Sequence, residues 1–351
     1  AGVPVPASTL VEDVAAALAA AKRTGYPVVV KPVQGSGSLG VRLCGGPDEV
    51  SAHAGELLAA TANERGLTAP RSILVEEYLT GPEFSVEVFG TEAVTTVAKH
   101  LGPHPMFVEI GHDVPAALPP GAEHALRDSA VRAVRALGLG WGAAHVELRL
   151  TDGRAAVIEV NPRLAGGMIP ELVRRAHDID LVDAQVLAAL GRPPVLSADN
   201  TPAMLSADNI RATPPVLSAD NTDTTEAMLS ADNIRQTSPV LSADNIAATS
   251  IRFLTAESDG LLADADALSA AVGAARAVPD VVDATLYRGP GEPVGCAEDF
   301  RGRLGHVIAA AGSAAHAAEA AQEAVRRLGA AIAYPKQTAG HPIPAARGAT
   351  A

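Results

Sequence analysis

Cysteine, positive charge and long apolar runs are all in short supply in this chain, and each shortage removes a class of protein. Two cysteines occur, Cys44 and Cys296, far apart and in no metal-ligand spacing. That leaves no disulfide framework to build on and fits a reducing compartment. Lys and Arg number 27 against 40 Asp and Glu, a formal net charge of −13. So acidic a surface repels phosphate backbones, which argues against nucleic acid and anionic membranes as partners. Any nucleotide bound here needs locally concentrated positive charge or metal ions. No uninterrupted apolar run is long enough to span a bilayer, and no charged-then-apolar signal segment opens the chain. The expectation is a cytoplasmic globular protein. What is present is ample core material: 48% of the 351 residues are hydrophobic, enough for two compact units.

Read along the chain, Thr9 and Glu12 have capping-box spacing before an Ala/Leu-rich helix that Gly25 ends. A β-branched strand follows at 26–33, then the glycine-rich loop 34–40, a short strand, and a helix opened by Pro47. Strands are expected at 72–79 and 83–90, paired across Gly81-Pro82, and near 92–98. An irregular stretch then leads to a helix over 122–137 that stops at Gly138. A hairpin spans 144–160, and one helix runs from about 168 to 190. After an insertion come "TSIRFLTA", a helix over 263–276, the strand "VVDATLY" and an Ala-rich helix over 313–330. Alternating strands and helices with charged antiparallel hairpins give an α+β fold class.

The insertion is a repeat. "LSADN" recurs at 196–200, 205–209, 217–221, 229–233 and 241–245, the last four at a period of 12. Each unit has too few apolar residues to build a core, so 196–247 is expected to be a disordered surface insertion; a short β-solenoid or partner-binding arm is the alternative. The tail, 333–351, is expected to be disordered.

The chemistry concentrates in the hairpin "AHVELRLTDGRAAVIEVNPR". Side chains alternate along a strand, so Glu159 and Asn161 share a face. Whether Glu147 joins them depends on the turn. A two-residue Asp152-Gly153 turn pairs 147 with 158 and sends Glu147 to the other face, whereas a three-residue turn pairs 147 with 159. Two opposed carboxylates repel unless a cation lies between them. Two Glu oxygens and an Asn oxygen suit a hard divalent ion such as Mg²⁺, with Arg163 as a fixed positive charge just beyond. The alternative is an exposed hairpin whose carboxylates pair with Arg149 and Arg154. Lys31, at the end of an apolar strand beside Gly35, Gly37 and Gly40, is placed to hold phosphates, although the loop lacks the ending of a P-loop. In "VEEYLTGPEF", the strand backbone can recognise a flat heterocycle while Glu83 bonds a ribose; the alternative is an ordinary edge strand with solvated glutamates.

Taken in order, "GYPVVVKPVQGSGSLGV", "ILVEEYLTGPEFSVEV", "HVELRL" and "VIEVNPRLAGGMIPELV" resemble the ATP-grasp superfamily, and within it the carboxylate–amine ligases that join amino acids. The resemblance covers about 1–195 and 248–330. It implies an ATP-grasp fold, with a lid subdomain over 1–79 and a larger antiparallel-sheet catalytic subdomain over 80–195 and 248–332. It implies ATP and Mg²⁺ (or Mn²⁺). Lys31 and the loop of Gly35, Gly37 and Gly40 would contact the phosphates. The backbone of Glu77 and Leu79, with Tyr78 between them, would read adenine; Glu76 would border that pocket and Glu83 would bind the ribose. Glu147, Glu159 and Asn161 would hold the metals, and Arg163 would stabilise the transferring phosphoryl group. Glu109, His112 and the backbone of Gly166 and Gly167 would lie near the amino-acid substrate.

The implied activity is ATP-dependent amide formation between a small-molecule carboxylate and an amine, through an acylphosphate. Relatives carry an N-terminal domain before the segment matching Ala1; the resemblance therefore implies that this pre-ATP-grasp domain is absent here. A homodimer, or a partner supplying that wall, would complete the site. Two other readings are a ligase acting on a purine precursor or bicarbonate, and a non-catalytic ATP-binding regulatory module. Deleting 196–245 should leave the thermal midpoint of the remaining chain essentially unchanged; loss of cooperative melting would make the repeat structural.

Overall fold

The structure, a computed structural model, describes residues 1–63, 65–196 and 247–334. The LSADN repeat from 197 to 246 and the tail from 335 onward lie outside the described residues.

The first layer is a four-stranded antiparallel sheet. Its strands are β1 (Ser8–Val11), β2 (Val28–Pro32), β3 (Arg42–Cys44) and β4 (Ile73–Glu77), in the order β1-β4-β2-β3. Two helices, α1 (Val14–Thr24) and α2 (Pro47–Ala59), cover one face and bury Val28, Val30, Ile73 and Val75 against Ala17, Ala20, Val50 and Ala54. Alternation turns Val29, Lys31, Leu74 and Glu76 to the opposite face, where they line a cleft. The helix does not start at the Thr9/Glu12 capping box. Thr9 lies in β1 opposite Val75, and Asp13 is the cap, its carboxylate accepting from the Ala16 N–H at 2.7 Å. The apolar, β-branched run Thr9-Leu10-Val11 gains more as a strand on the β4 edge than as a helix start. Gly25 does end α1, its N–H donating to the Ala21 carbonyl.

The second layer is an eight-stranded sheet, every neighbouring pair antiparallel. Its first part comprises β5 (Glu83–Phe89), β6 (Glu92–Leu101), β7 (Glu109–Val114), β8 (Ala143–Thr151) and β9 (Arg154–Asn161). After the repeat come β10 (Ala248–Leu254), the short β11 (Gly260–Leu262), β12 (Val281–Leu286), the short β13 (Pro293–Val294) and β14 (Gly305–Ala311). The order is β12-β14-β10-β7-β6-β5-β8-β9. Thus β5 is not the hairpin partner of β4: β4 pairs with β1 and β2, and β5 with β6 and β8. Gly81, at φ 97°, carries the chain between sheets, because a side chain there would run into the Leu150 carbonyl. The stretch expected to be irregular holds β7, since Ile110, His112 and Val114 alternate as a strand requires.

One face of this sheet is closed by α3 (Pro120–Ala136), α6 (Ala265–Arg276) and α7 (Ala314–Leu328), which bury Val86, Val146, Leu148 and Val157 at one end and Leu254, Ala284 and Val307 at the other. On the other face α4 (Ile169–His177) and α5 (Leu181–Ala189) cover Val97, Ile251, Phe253 and Ile308. These two replace the single helix expected over 168–190. Asp178 ends α4 at φ 53°, and Asp180 caps α5 through the Val182 and Asp183 N–H groups. The third sheet, β13-β11-β15, includes β15 (Ile332–Ala333), so Ala333 is paired with Leu261 rather than part of the tail.

Among the described helices none is long and apolar enough to cross a membrane. Burial pushes the Cys44 thiol up to about 11, the Arg42 charge opposing it, whereas Cys296 is exposed. Thiol titration of the native protein should therefore modify Cys296 and reach Cys44 only after unfolding; fast native reaction of both would contradict the packing of β3.

Candidate active site

Between the four-stranded sheet and the uncovered part of the eight-stranded sheet lies a cleft of about 620 Å³. Of the residues singled out from the sequence, it gathers Lys31, Gly35, Gly37, Glu76, Glu77, Tyr78, Leu79, Glu83, Glu109, Glu147, Glu159, Asn161 and Arg163. Gly40, His112, Gly166 and Gly167 are not part of its lining. Gly40 closes the glycine-rich loop from behind, at φ 73°, with its carbonyl 2.8 Å from His53 Nε2. His112 is fully buried beneath Gly167, where a Cβ would lie 2.6 Å from His112 Nε2.

On the lid side, Lys31 Nζ is 2.7 Å from Glu76 Oε2. The Glu77 N–H donates to the Ala7 carbonyl, and the Leu79 carbonyl accepts from Arg149 Nη1 at 3.0 Å. The Arg149 guanidinium lies 5.5 Å from the Tyr78 ring centre and 5.6 Å from that of Phe107. This clamp joins the end of the lid strand to β8.

The hairpin resolves its face in an unexpected way. Thr151 pairs with Arg154 across a two-residue Asp152-Gly153 turn, both φ positive at 50° and 76°. Such a turn matches strand twist and on its own would put Glu147 opposite Ile158. A bulge intervenes: Leu148 still pairs with Val157, but Glu147 pairs with Glu159. Ile158 is the extra residue, and it returns Glu159 and Asn161 to the cleft face. The three-residue turn is therefore incorrect, while the pairing it was invoked to explain is present.

A polar band runs along this face, where Glu83 opposes both Lys99 and Arg149, and Lys99 opposes His112. Lys99 is its centre. Its Nζ lies 2.8 Å from Glu83 Oε1, 2.9 Å from Glu109 Oε1 and 2.7 Å from Glu147 Oε2, with the side chain 2% exposed. Burial favours the neutral amine, yet Glu109, Glu147 and Glu83 outweigh it and hold the Lys99 pKa well above the ordinary lysine value. Conversely, burial raises Glu109, but Lys99 and His112 bring its carboxyl down to about 2. The second Glu147 oxygen lies 3.1 Å from His145 Nε2, and His145 Nδ1 lies 2.8 Å from Glu87 Oε1. Burial works against the charged imidazole, but Glu87 and Glu147 lift His145 to about 10. His112 behaves oppositely: burial pulls it down to about 3 despite Glu109 at 3.6 Å, so it is a neutral ring, and neither ring nitrogen has a hydrogen-bond partner. Glu83 is likewise held by Arg149, at 3.0 Å and 3.2 Å.

The metal expectation can be tested on these groups. The Glu159 carboxylate is exposed and makes no hydrogen bond or ion pair among the described residues, and the buried Asn161 Nδ2 has no partner. Glu147 is directly opposite Glu159 in register. Two carboxylates and an amide are hard oxygen donors of the kind that bind Mg²⁺, which keeps waters and takes further oxygens from phosphates. Among the described residues no three His, Cys, Asp or Glu side chains form a ready-made cage. The donor set fits a magnesium ion shared with a phosphate.

Sequence reasoning missed Lys99, His145, Glu87 and Arg303 as site components. A lysine inside the apolar run "TTVAKHL", and the alternating Glu83, Ser85 and Glu87 of β5, were readable signals. Arg303 carried none: its guanidinium donates to the Glu109 carbonyl at 2.9 Å and 3.1 Å, and to Glu109 Oε2 at 3.2 Å.

The cleft thus lies between two antiparallel sheets, and its residues match known domain families. An ATP-grasp domain model matches residues 24–171, and the model "L-amino acid ligase C-terminal domain 2" matches residues 252–333. The chain thus carries an ATP-grasp domain followed by a segment that matches the L-amino acid ligase C-terminal domain. It is 33% identical over 328 residues to the uncharacterized protein y4rH of Sinorhizobium fredii, covering 93% of this chain and 58% of that one. It is 34% identical over 186 residues to carnosine synthase 1 of Gallus gallus, covering 50% of this chain and 20% of that one. The chain thus spans little more than half the length of the first relative and a fifth of the second. The crystal structure of L-amino acid ligase from Bacillus licheniformis shares the fold, with a TM-score of 0.65 at 20% identity, covering 95% of this chain and 69% of that one.

Replacing Lys99 by Met should lower unfolding free energy by about 3–5 kcal/mol, because three buried carboxylates lose their shared cation. Urea denaturation checks this; a loss below about 1 kcal/mol would mean the carboxylates are not held by Lys99.

Proposed function

We propose that this chain carries the ATP site of an ADP-forming ligase that joins the carboxylate of one amino-acid-like substrate to the amine of another. The observation that supports the reading best is the register of Glu147 opposite Glu159, in one cleft with Lys31, the glycine-rich loop and Arg163. Lys31 and the loop N–H groups bind the phosphates. Glu76 sets the Lys31 ammonium. Tyr78 and Leu79 lie where the adenine enters, and Glu83 lies at its ribose end. Glu147, Glu159 and Asn161 would hold Mg²⁺, which supplies charge neutralisation to the phosphates when bound.

In the proposed reaction the substrate carboxylate oxygen bonds to the γ-phosphorus as the bond to the β-phosphate oxygen breaks, giving an acylphosphate and ADP. The amine nitrogen then bonds to the acyl carbon, phosphate departs with the bonding pair, and the amine yields its proton to solvent. Charge on the transferring oxygens is the quantity to be stabilised, so Arg163 and Lys31 matter more than any single base. Glu109 stands at the far end of the Lys99 cluster and recognises the ammonium of an amino-acid substrate. His112, neutral and packed under Gly167, shapes that end rather than touching the ligand.

A screen for ADP release over amino-acid pairs, paired with detection of the amide, tests the reading; ATP binding without ADP release in any mixture would leave a regulatory module. Glu159→Ala should lower turnover by at least about 10²-fold, and because Glu159 is exposed and has no partner among the described residues, stability should change by no more than about 0.5 kcal/mol. Full activity in that variant would remove Glu159 from the metal site. Lys31→Ala should weaken Mg·ATP binding measured by calorimetry.

A further inference from the structure

The turn that precedes β14 is rigidly built. Asp299 Oδ1 accepts from the Arg301 N–H at 2.8 Å, and the Arg301 guanidinium returns to the same carboxylate at 2.7 Å and 3.0 Å. Arg288 Nη2 donates to the Arg301 carbonyl at 3.0 Å, and the Tyr287 N–H to the Leu304 carbonyl, so the turn is anchored to β12 and β14. Two side chains leave it in opposite service. Phe300 rests on the backbone of Gly37, the middle glycine of the loop over the cleft, so closely that a methyl group on Gly37 would overlap its ring. Three residues later, Arg303 grips both the main chain and the carboxylate of Glu109, its guanidinium 3.9 Å from the Phe253 ring centre.

An aromatic ring, 38% exposed, would gain little from sitting on a glycine backbone if that loop were free to leave. Gly37, at φ 62°, is the point where the loop offers bare backbone for the ring to meet. The loop belongs to the lid sheet and the turn to the catalytic sheet, so this contact bridges the two bodies that enclose the cleft. Arg303 ties the same turn to the carboxylate at the substrate end.

We propose that Phe300 is a positioning residue that seats the glycine-rich loop over the phosphate site, and that Arg303 links this seating to Glu109. The proposal rests on the ligase reading only for its consequence, namely that a seated loop keeps water from the acylphosphate and so couples ADP release to amide formation. It assigns a chemical task to the C-terminal segment without placing that segment in contact with ATP.

Hydrogen exchange of the loop amides at 34–40 tests this in the full chain, with and without Mg·AMP-PNP. Phe300→Ala should speed exchange of these amides at least about tenfold while amides of β5 and β8 keep their protection; Phe300→Leu should restore part of it. Arg303→Gln should also deprotect the loop. Unchanged loop exchange in Phe300→Ala overturns the seating, and unchanged exchange in Arg303→Gln overturns the link to Glu109. Should Phe300→Ala fail to fold, the Phe300→Leu comparison decides in the same sense. In turnover, Phe300→Ala should release more ADP per amide formed than the parent chain, and an unaltered ratio overturns the coupling. If the parent chain binds no Mg·AMP-PNP, the ligase reading fails, while the nucleotide-free exchange comparison still decides the seating.

Discussion

A single buried ammonium organises this site. Lys99 meets carboxylates from three other strands, Glu83 on β5, Glu109 on β7 and Glu147 on β8, within 2.9 Å. Without it those strands would place like charges side by side on a face with little water, a cost that only opposite charge or protonation relieves. One cation for three carboxylates leaves excess negative charge, which Arg149, His145 and Arg303 share out from the edges. The acidic chain thus contains a locally balanced cleft, with Glu159, whose carboxylate has no partner among the described residues, at its mouth.

That balance also separates the roles along the band. Glu147 is fixed from both sides, by Lys99 and by His145 backed by Glu87 and Ser85, so its orientation is set before any ion arrives. Glu159 has no such support and is free to adapt. Under the proposed function, a rigid donor facing an adaptable one would suit an ion that enters with a nucleotide and leaves with the product.

Much of this was legible in the sequence wherever local pattern and chemistry agreed. The β-branched run into Lys31, the glycine spacing after it and the hairpin Glu147–Asn161 each had a one-dimensional signature, and the cleft gathers them. Legibility failed where a competing local solution won. Asp13 outcompeted Thr9 as a cap because the strand residues before it had a sheet edge to join. Asp178 and Asp180 broke a continuous apolar pattern into α4 and α5 by capping both sides of the gap. The bulge at Ile158 was invisible because turn length and charge pattern pointed to different registers, and only the extra residue reconciles them. Arg303 is long-range: its partner Glu109 lies on a strand whose adjacency no local spacing encodes. The same holds for Lys99 toward Glu109 and Glu147, though not toward Glu83 across the β5–β6 hairpin.

The strand order carries a consequence for how the protein is made. β10 lies between β7 and β14, yet it is encoded beyond the repeat, so β7 must wait for its partner. At ordinary translation speeds the wait is on the order of ten seconds. Throughout it, the edge of β7 that later meets β10 presents unpaired N–H and C=O groups, the kind of template on which chains pair with strangers. Ribosomal timing and chaperone access over that interval are thus part of what this sheet order demands of the cell.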